Sequence, residues 1–213
     1  MPFATDRDLL ALEPILFRDI TWASQRLVTG TATISAGVLT FDEIDADCET
    51  AGVSAGGVVL IGTTPYEILE VLGPDELAIS ILRPSETGDT LLMPDVAVAV
   101  STAIHTFAPQ VEIIHRQVLR MLGIEPGETT TPTESDITNP AAIRRLESLG
   151  ALHLIYSAAG ALTPANSPLN TRAELYRQRF NDERQRISIG LDLNADGEPD
   201  VVRKLNVVQF VRG

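Results

Sequence analysis

The sequence predicts an α+β chain: a small helical bundle with an inserted antiparallel β domain and a C-terminal β-hairpin. Three observations lead there. From Leu27 the vocabulary shifts to Thr, Val, Ile and Gly in short runs separated by turn residues, as in a small antiparallel sheet or barrel. After Pro94 the pattern turns helical, and Val111, Ile114, Val118 and Leu122 recur on one helical face. Two β-rich runs then flank Asn194-Ala195-Asp196-Gly197-Glu198-Pro199, a turn sequence. The expected domains are a helical core at 1–26 and 101–186, a β module at 27–100 and a hairpin tail at 187–213.

Thr5-Asp6-Arg7-Asp8 resembles a capping box, so a short helix starts near Asp6, and Pro14 ends or kinks it. A second short element through Leu16, Phe17, Ile20 and Trp22 packs on the core. Candidate strands are 27–34, 37–41, 57–61, 66–71 and 77–82, the last three forming a meander, with Leu77, Ile79 and Ile81 on the buried face. The acid-rich run 42–49 reads as a solvated loop. Pro109 opens a helix that stops at Gly123, and 123–138 reads as an exposed linker. Asn139-Pro140 is an N-cap with proline in the first turn of a helix bearing Ile143, Leu146, Leu149 and Leu154. After a second linker at 160–170, a third helix at about 171–187 turns Ala173, Tyr176, Phe180 and Ile187 inward and presents arginines outward.

The chain has 213 residues, 44% of them hydrophobic and 21% charged, with a mean hydropathy of +0.11, which describes a folded globular protein. Cys48 is the only cysteine, so no intramolecular disulfide or cysteine-based zinc site can form, and a lone buried thiol is expected. No apolar run approaches bilayer-spanning length and the first residues are acidic, so the chain reads as soluble and made in the cytoplasm, without membrane contact. The net charge is −13, and Lys204 is the only lysine. Residues 1–100 hold 16 acids and 4 bases, against 13 and 12 in 101–213. Such a surface disfavours direct binding to nucleic-acid phosphates.

Residues with catalytic potential are scattered. His105, His115 and His153 lack metal-ligand spacing, and the latter two read as packed helix residues. No G-x-S-x-G occurs, the glycines at 52–57 match no dinucleotide fingerprint, and Cys48 sits among acids that raise its pKa. The reading is a non-enzyme without cofactor. Asp192-Leu193-Asn194-Ala195-Asp196-Gly197 matches the first six positions of a calcium loop, but Arg203 stands where the bidentate glutamate belongs. Asp192, Asn194, Asp196 and Asp200 either hold a weak calcium ion or make a tight Asp-Gly turn.

The capped helical start, inserted β domain, amphipathic helix at 110–122, arginine-rich Arg172-Ala173-Glu174-Leu175-Tyr176-Arg177-Gln178-Arg179-Phe180 and closing Asp/Gly hairpin together resemble the head-to-tail adaptor, or neck connector, proteins of tailed bacteriophages. About two-thirds of the chain, its helical parts and tail, carries the resemblance, and the β insertion departs from shorter all-helical members. It implies a structural virion protein of the neck, made in the host cytoplasm. A homo-oligomeric ring of about twelve copies would join the portal protein to tail or tail-terminator proteins and pass DNA without gripping it. In such adaptors the terminal segment docks on the portal, which here assigns Leu205, Val207, Val208, Gln209, Phe210 and Val211 to portal binding by strand addition. Packing of that strand within its own hairpin is the alternative. Arg172, Arg177, Arg179 and Arg184 are assigned to contacts between subunits, or else form a solvated face with intrahelical pairs. A reading of another class is a calcium-dependent binding module with a β-rich recognition domain.

Overall fold

Thr5 and Asp8 form the capping box that the sequence implies, the Thr5 amide donating to Asp8 Oδ2 at 2.8 Å, and helix α1 (Asp6–Leu12) ends before Pro14. A single turn, α2 (Leu16–Asp19), buries Leu16 and Phe17. The computed structural model describes residues 1–85, 92–125 and 132–205. The chain forms two compact units, Thr5–Ala108 and Met1–Ala4 with Pro109–Gly213. Residues 5–26 thus group with the strands, whereas the sequence reading assigns them to the helical core. The reason is polar anchoring: the Arg7 amide donates to Gly56 O at 2.9 Å, Asp6 Oδ1 accepts the Phe107 amide at 2.8 Å, and Arg7 Nε donates to Glu67 at 2.7 Å.

The β segment closes into a six-stranded antiparallel barrel. Its order is β1 (Arg26–Ser35), β2 (Val38–Ile44), β5 (Glu76–Ser80), β4 (Thr64–Gly73), β3 (Val58–Ile61) and β6 (Ala97–His105), with β6 returning to β1. Strands β3, β4 and β5 form the expected meander. The acidic run is partly strand, since Asp42 and Glu43 belong to β2. Ile81, expected inside, lies beyond the end of β5 and is 46% exposed. Strand β6 corrects the helical expectation after Pro94. Its alanines favour helix, and a bulge breaks the alternation by which a strand would be recognised.

Inside the barrel, Val28, Ile34, Leu39, Phe41, Ile68, Leu77 and Ile104 pack together with the buried Cys48. The interior is a filled core, each large side chain contributing about 1.5–3 kcal/mol relative to exposure. Ala36 (φ 52°) and Gly37 (φ 80°) make the two-residue turn between β1 and β2, the geometry that matches strand twist. Where β1 passes β2, a Cβ on Gly30 would collide with the Glu43 carbonyl, so only glycine permits the approach.

The other unit holds α3 (Ala108–Met121), α4 (Pro140–Gly160), α5 (Pro168–Arg186) and the hairpin β7 (Ser188–Leu191) with β8 (Val201–Lys204). Gly150 of α4 faces Ile114 of α3 and Phe180 of α5 so closely that a Cβ would come within 3.0 Å of both. Helix α5 begins at Pro168, earlier than the sequence suggests, because Ser167 Oγ accepts the Leu169 amide at 3.3 Å. Asn139 precedes α4 but its side chain serves β7, donating to Ser188 O at 2.9 Å and accepting the Gly190 amide at 3.1 Å. One edge of β7 is covered by residues 136–138, through Thr138 N to Gly190 O and Asp192 N to Asp136 O. Among the described residues no helix is long and apolar enough to cross a membrane.

Two consequences are measurable. A fragment 5–108 should fold as a barrel by circular dichroism and amide dispersion, whereas 27–100 should not, because it lacks Arg7 and the second half of β6. Gly30→Ala should lower unfolding stability by about 2–3 kcal/mol in urea titration, the usual cost of forcing an extra carbon into a closed approach.

Candidate functional site

The calcium-like loop is the β7–β8 connection. Asp192 Oδ2 accepts the Gly197 amide at 2.7 Å, and Oδ1 accepts those of Asn194 and Asp196 at 3.3 Å. Asp196 accepts the Glu198 amide at 2.9 Å, and Asp200 accepts the Leu193 amide at 2.7 Å and Asn194 Nδ2 at 3.1 Å. The amide of Gly197 is the chief reason that Asp192 titrates below the usual carboxylate range. These oxygens close a turn with Ala195 and Gly197 at positive φ, and among the described residues no three His, Cys, Asp or Glu are placed to hold a metal ion. Arg203, at the twelfth position, turns its guanidinium onto the Leu122 carbonyl at the end of α3.

The tail residues divide. Leu205 is buried at 6% exposure, as a packed strand end would be. Val207, Val208, Gln209, Phe210 and Val211 lie outside the described residues. Strand β8 pairs only with β7 among the described residues, and Val202 on it is 60% exposed. A strand with one side unpaired can take an added strand.

Three of the four arginines assigned to subunit contacts are engaged within the helices. Tyr156 and Tyr176 stack with ring centroids 5.7 Å apart, Arg172 lies 5.6 Å over Tyr156 and donates to its hydroxyl at 3.1 Å, and Arg179 lies 5.5 Å over Tyr176. Arg177 grips Glu174 with two bonds, at 2.8 and 2.6 Å. Arg184 is half-buried. Exposed cations of this unit also lie on α3, where Ile113, Arg116, Gln117, Arg120 and Met121 line a shallow open groove.

Two buried glutamates organise polar clusters that sequence reasoning misses. Glu147, fully buried on α4, accepts His115 Nδ1 at 2.7 Å and the amides of Phe3 and Ala4 at 2.9 and 2.8 Å. Glu134 lies 3.4 Å from His115 Nε2 and binds the Met1 amine, and the Phe3 ring packs edge-on against the imidazole. Burial opposes the charged form of His115, but the hydrogen bond and charge of Glu147, aided by Glu134, outweigh it, so His115 titrates above its usual range. Glu67, fully buried on β4, is held between Arg7 and Arg83. Only a glutamate amid the apolar residues of α4 signals the first cluster in the sequence. Cys48 is buried and its thiol is pushed up to about 11 by burial, with Asp47 and Asp75 adding to it, so it is unsuited to nucleophilic chemistry.

No protein-family model, curated protein or solved structure matches the chain.

The proton-linked groups predict the direction of the pH response. Burial raises Asp6 from 3.8 to about 6, against the hydrogen bonds from Thr106 and Phe107. A carboxyl raised in the folded state imposes no penalty below about pH 4, a growing one as pH climbs to 6, and its full cost of about 3 kcal/mol above that. His115, also raised, stabilises fully below about pH 6.5 and loses that contribution as pH rises through its folded value. Both terms favour mild acid. Asp6→Asn, which keeps an acceptor for the Phe107 amide, should raise the melting temperature at pH 7.5 and change it little at pH 4.5. Equal effects at both values would contradict the assignment.

Proposed function

We propose that this chain is a structural protein of the tailed-phage neck, a portal-binding head-to-tail adaptor with no catalytic role. The observation that carries the reading is the layout. A barrel, a helical unit read as the small bundle of such adaptors, and a terminal hairpin whose outer strand pairs only with β7 among the described residues succeed one another along the chain. Copies would form a homo-oligomeric ring of about twelve that joins the portal to the tail or tail-terminator proteins.

Charge supports the same reading. Residues 27–100 hold twelve acids and one base, and that base, Arg83, is taken up by Glu67. A negative surface along a DNA path avoids the counterion-releasing phosphate contacts that would slow transit. The segment that begins at Leu205 would add to a portal strand, with backbone hydrogen bonds supplying affinity and alternate side chains choosing the groove. Arg172, Arg177, Arg179 and Arg184 would stiffen the α4–α5 face that neighbouring copies meet.

Cryo-electron microscopy of the parent particle tests this directly, because density for the chain in the capsid shell or baseplate would refute it. Removing residues 205–213 separates anchor from packing. A docking strand predicts a folded, helical protein that no longer joins the portal, whereas loss of helicity with a lowered melting temperature would mean that the segment serves the fold.

A further inference from the structure

Closed antiparallel barrels keep apolar side chains inside and polar ones outside, since the two alternate along each strand. Strand β6 departs from this at its start. Ile34 pairs with Ala97 and Ala32 with Val100, so two steps on β1 face three on β6, and Ala99 absorbs the extra residue at φ 51°. Ala97 and Val100 both pack toward the core, and the bulge between them turns Val98 outward. Val98 is 73% exposed, Val96 75% and Met93 51%, with Met93 lying against Gly37 of the neighbouring turn. An apolar patch has been aimed at solvent by a backbone device, and it carries the exposed Asp95 in its midst.

We propose that this patch seats helix α3 of a second copy of the chain. The inference rests on the ring reading above and adds a second contact between copies beside the α4–α5 face. Another barrel is a poor occupant, because segments with twelve acids and one base repel one another. The occupant must join cations to exposed apolar side chains. Helix α5 is the poorer match, since Arg172 and Arg179 are stacked on tyrosines and its exposed apolar residue Leu175 is 41% exposed against 56% for Ile113. Helix α3 is the better one: Ile113 lies beside Arg116 and Arg120, whose side chains are 59% and 66% exposed. Their partners Glu112 and Glu125 hold them only in exposed pairs, which contribute little and can be exchanged. Two different patches that complement each other across copies make a head-to-tail contact, the kind that closes into rings.

Disulfide trapping in the full chain tests the pairing, with the buried Cys48 giving little background. Val98→Cys and Gln117→Cys chains, mixed with oxidised glutathione, should cross-link about tenfold faster than Val98→Cys mixed with Thr63→Cys. Arg116→Glu with Arg120→Glu should slow the reaction about tenfold, and Asp95→Arg on the partner should restore part of it. Cross-linking at the control rate, indifference to charge reversal, or faster pairing of Val98→Cys with itself would overturn the proposal. Imaging of the particle keeps the two readings apart. A neck ring in which α3 avoids the neighbouring barrel defeats this interface and leaves the neck role standing. Specific cross-links with the chain located elsewhere in the particle defeat the neck role and leave the interface.

Discussion

Return of β6 to β1 closes the sheet so that no barrel strand is left with one side wholly unpaired, and much of the barrel's unit is arranged to permit it. Strand β6 is bonded on both sides, to β1 and to the four-residue β3, so an error in its register would propagate through the ring of strands. Closure requires sharp bending, and the bending is localised. Register shifts occur at Thr31/Ala32 on β1 and at the Ala99 bulge on β6, while Gly30 admits β2 at close range. Just past β6, the Phe107 amide is met by Asp6, a carboxylate kept out of water. That burial is unfavourable at neutral pH, yet an unanswered amide there would also be unfavourable, by about 1–3 kcal/mol. Helix α1 is thus bound to the barrel by the end of its closing strand.

Glu67 and Glu147 solve one problem with different donors. Each is a fully buried carboxylate, a state tolerated only when its charge and lone pairs are answered. Two guanidiniums answer Glu67, and they come from α1 and from the segment after β5, so both are tied to β4. Glu147 has one imidazole and two backbone amides, which tie residues 3 and 4 to α4. Such clusters add little net stability compared with a well-packed apolar substitute, but deletion of one partner costs about 3–5 kcal/mol. Their effect is therefore to penalise alternatives in which the tethered segments lie elsewhere.

What the sequence makes legible follows from the range of the interactions involved. The strands at 57–61, 66–71 and 77–82 were readable because Gly62 and Gly73-Pro74 punctuate an alternating pattern, and the α1 capping box spans only the four residues Thr5 to Asp8. The Asp192 turn is equally local, its bonds running between residues at most seven apart. Strand β6 was not legible, since a bulge at Ala99 puts Val98 and Ile104 on opposite faces although both are even-numbered. Arg7 and Glu67 are sixty residues apart, and no periodicity links them. The arginines of α5 announced a basic helical face, but the Tyr156–Tyr176 stack that occupies two of them needed α4 and α5 side by side.

Edges and faces divide the ways in which this chain can meet another. Each strand of the closed barrel is paired on both sides over part of its length, so the barrel offers chiefly side chains for recognition, and the bulge in β6 turns apolar ones outward. The terminal hairpin is the reverse case. Residues 136–138 cover β7, whereas β8 has no strand on its other side among the described residues, and its carbonyls and amides can add a strand with little regard to sequence. Arg203 anchors β8 to the end of α3 and so fixes where that edge is presented. Backbone pairing at β8 would give strength with weak selectivity, and side-chain packing at β6 would give selectivity without a template for aggregation. On the neck role proposed above, keeping the two modes on separate elements would be an advantage, because neither contact could then be satisfied by the other's partner.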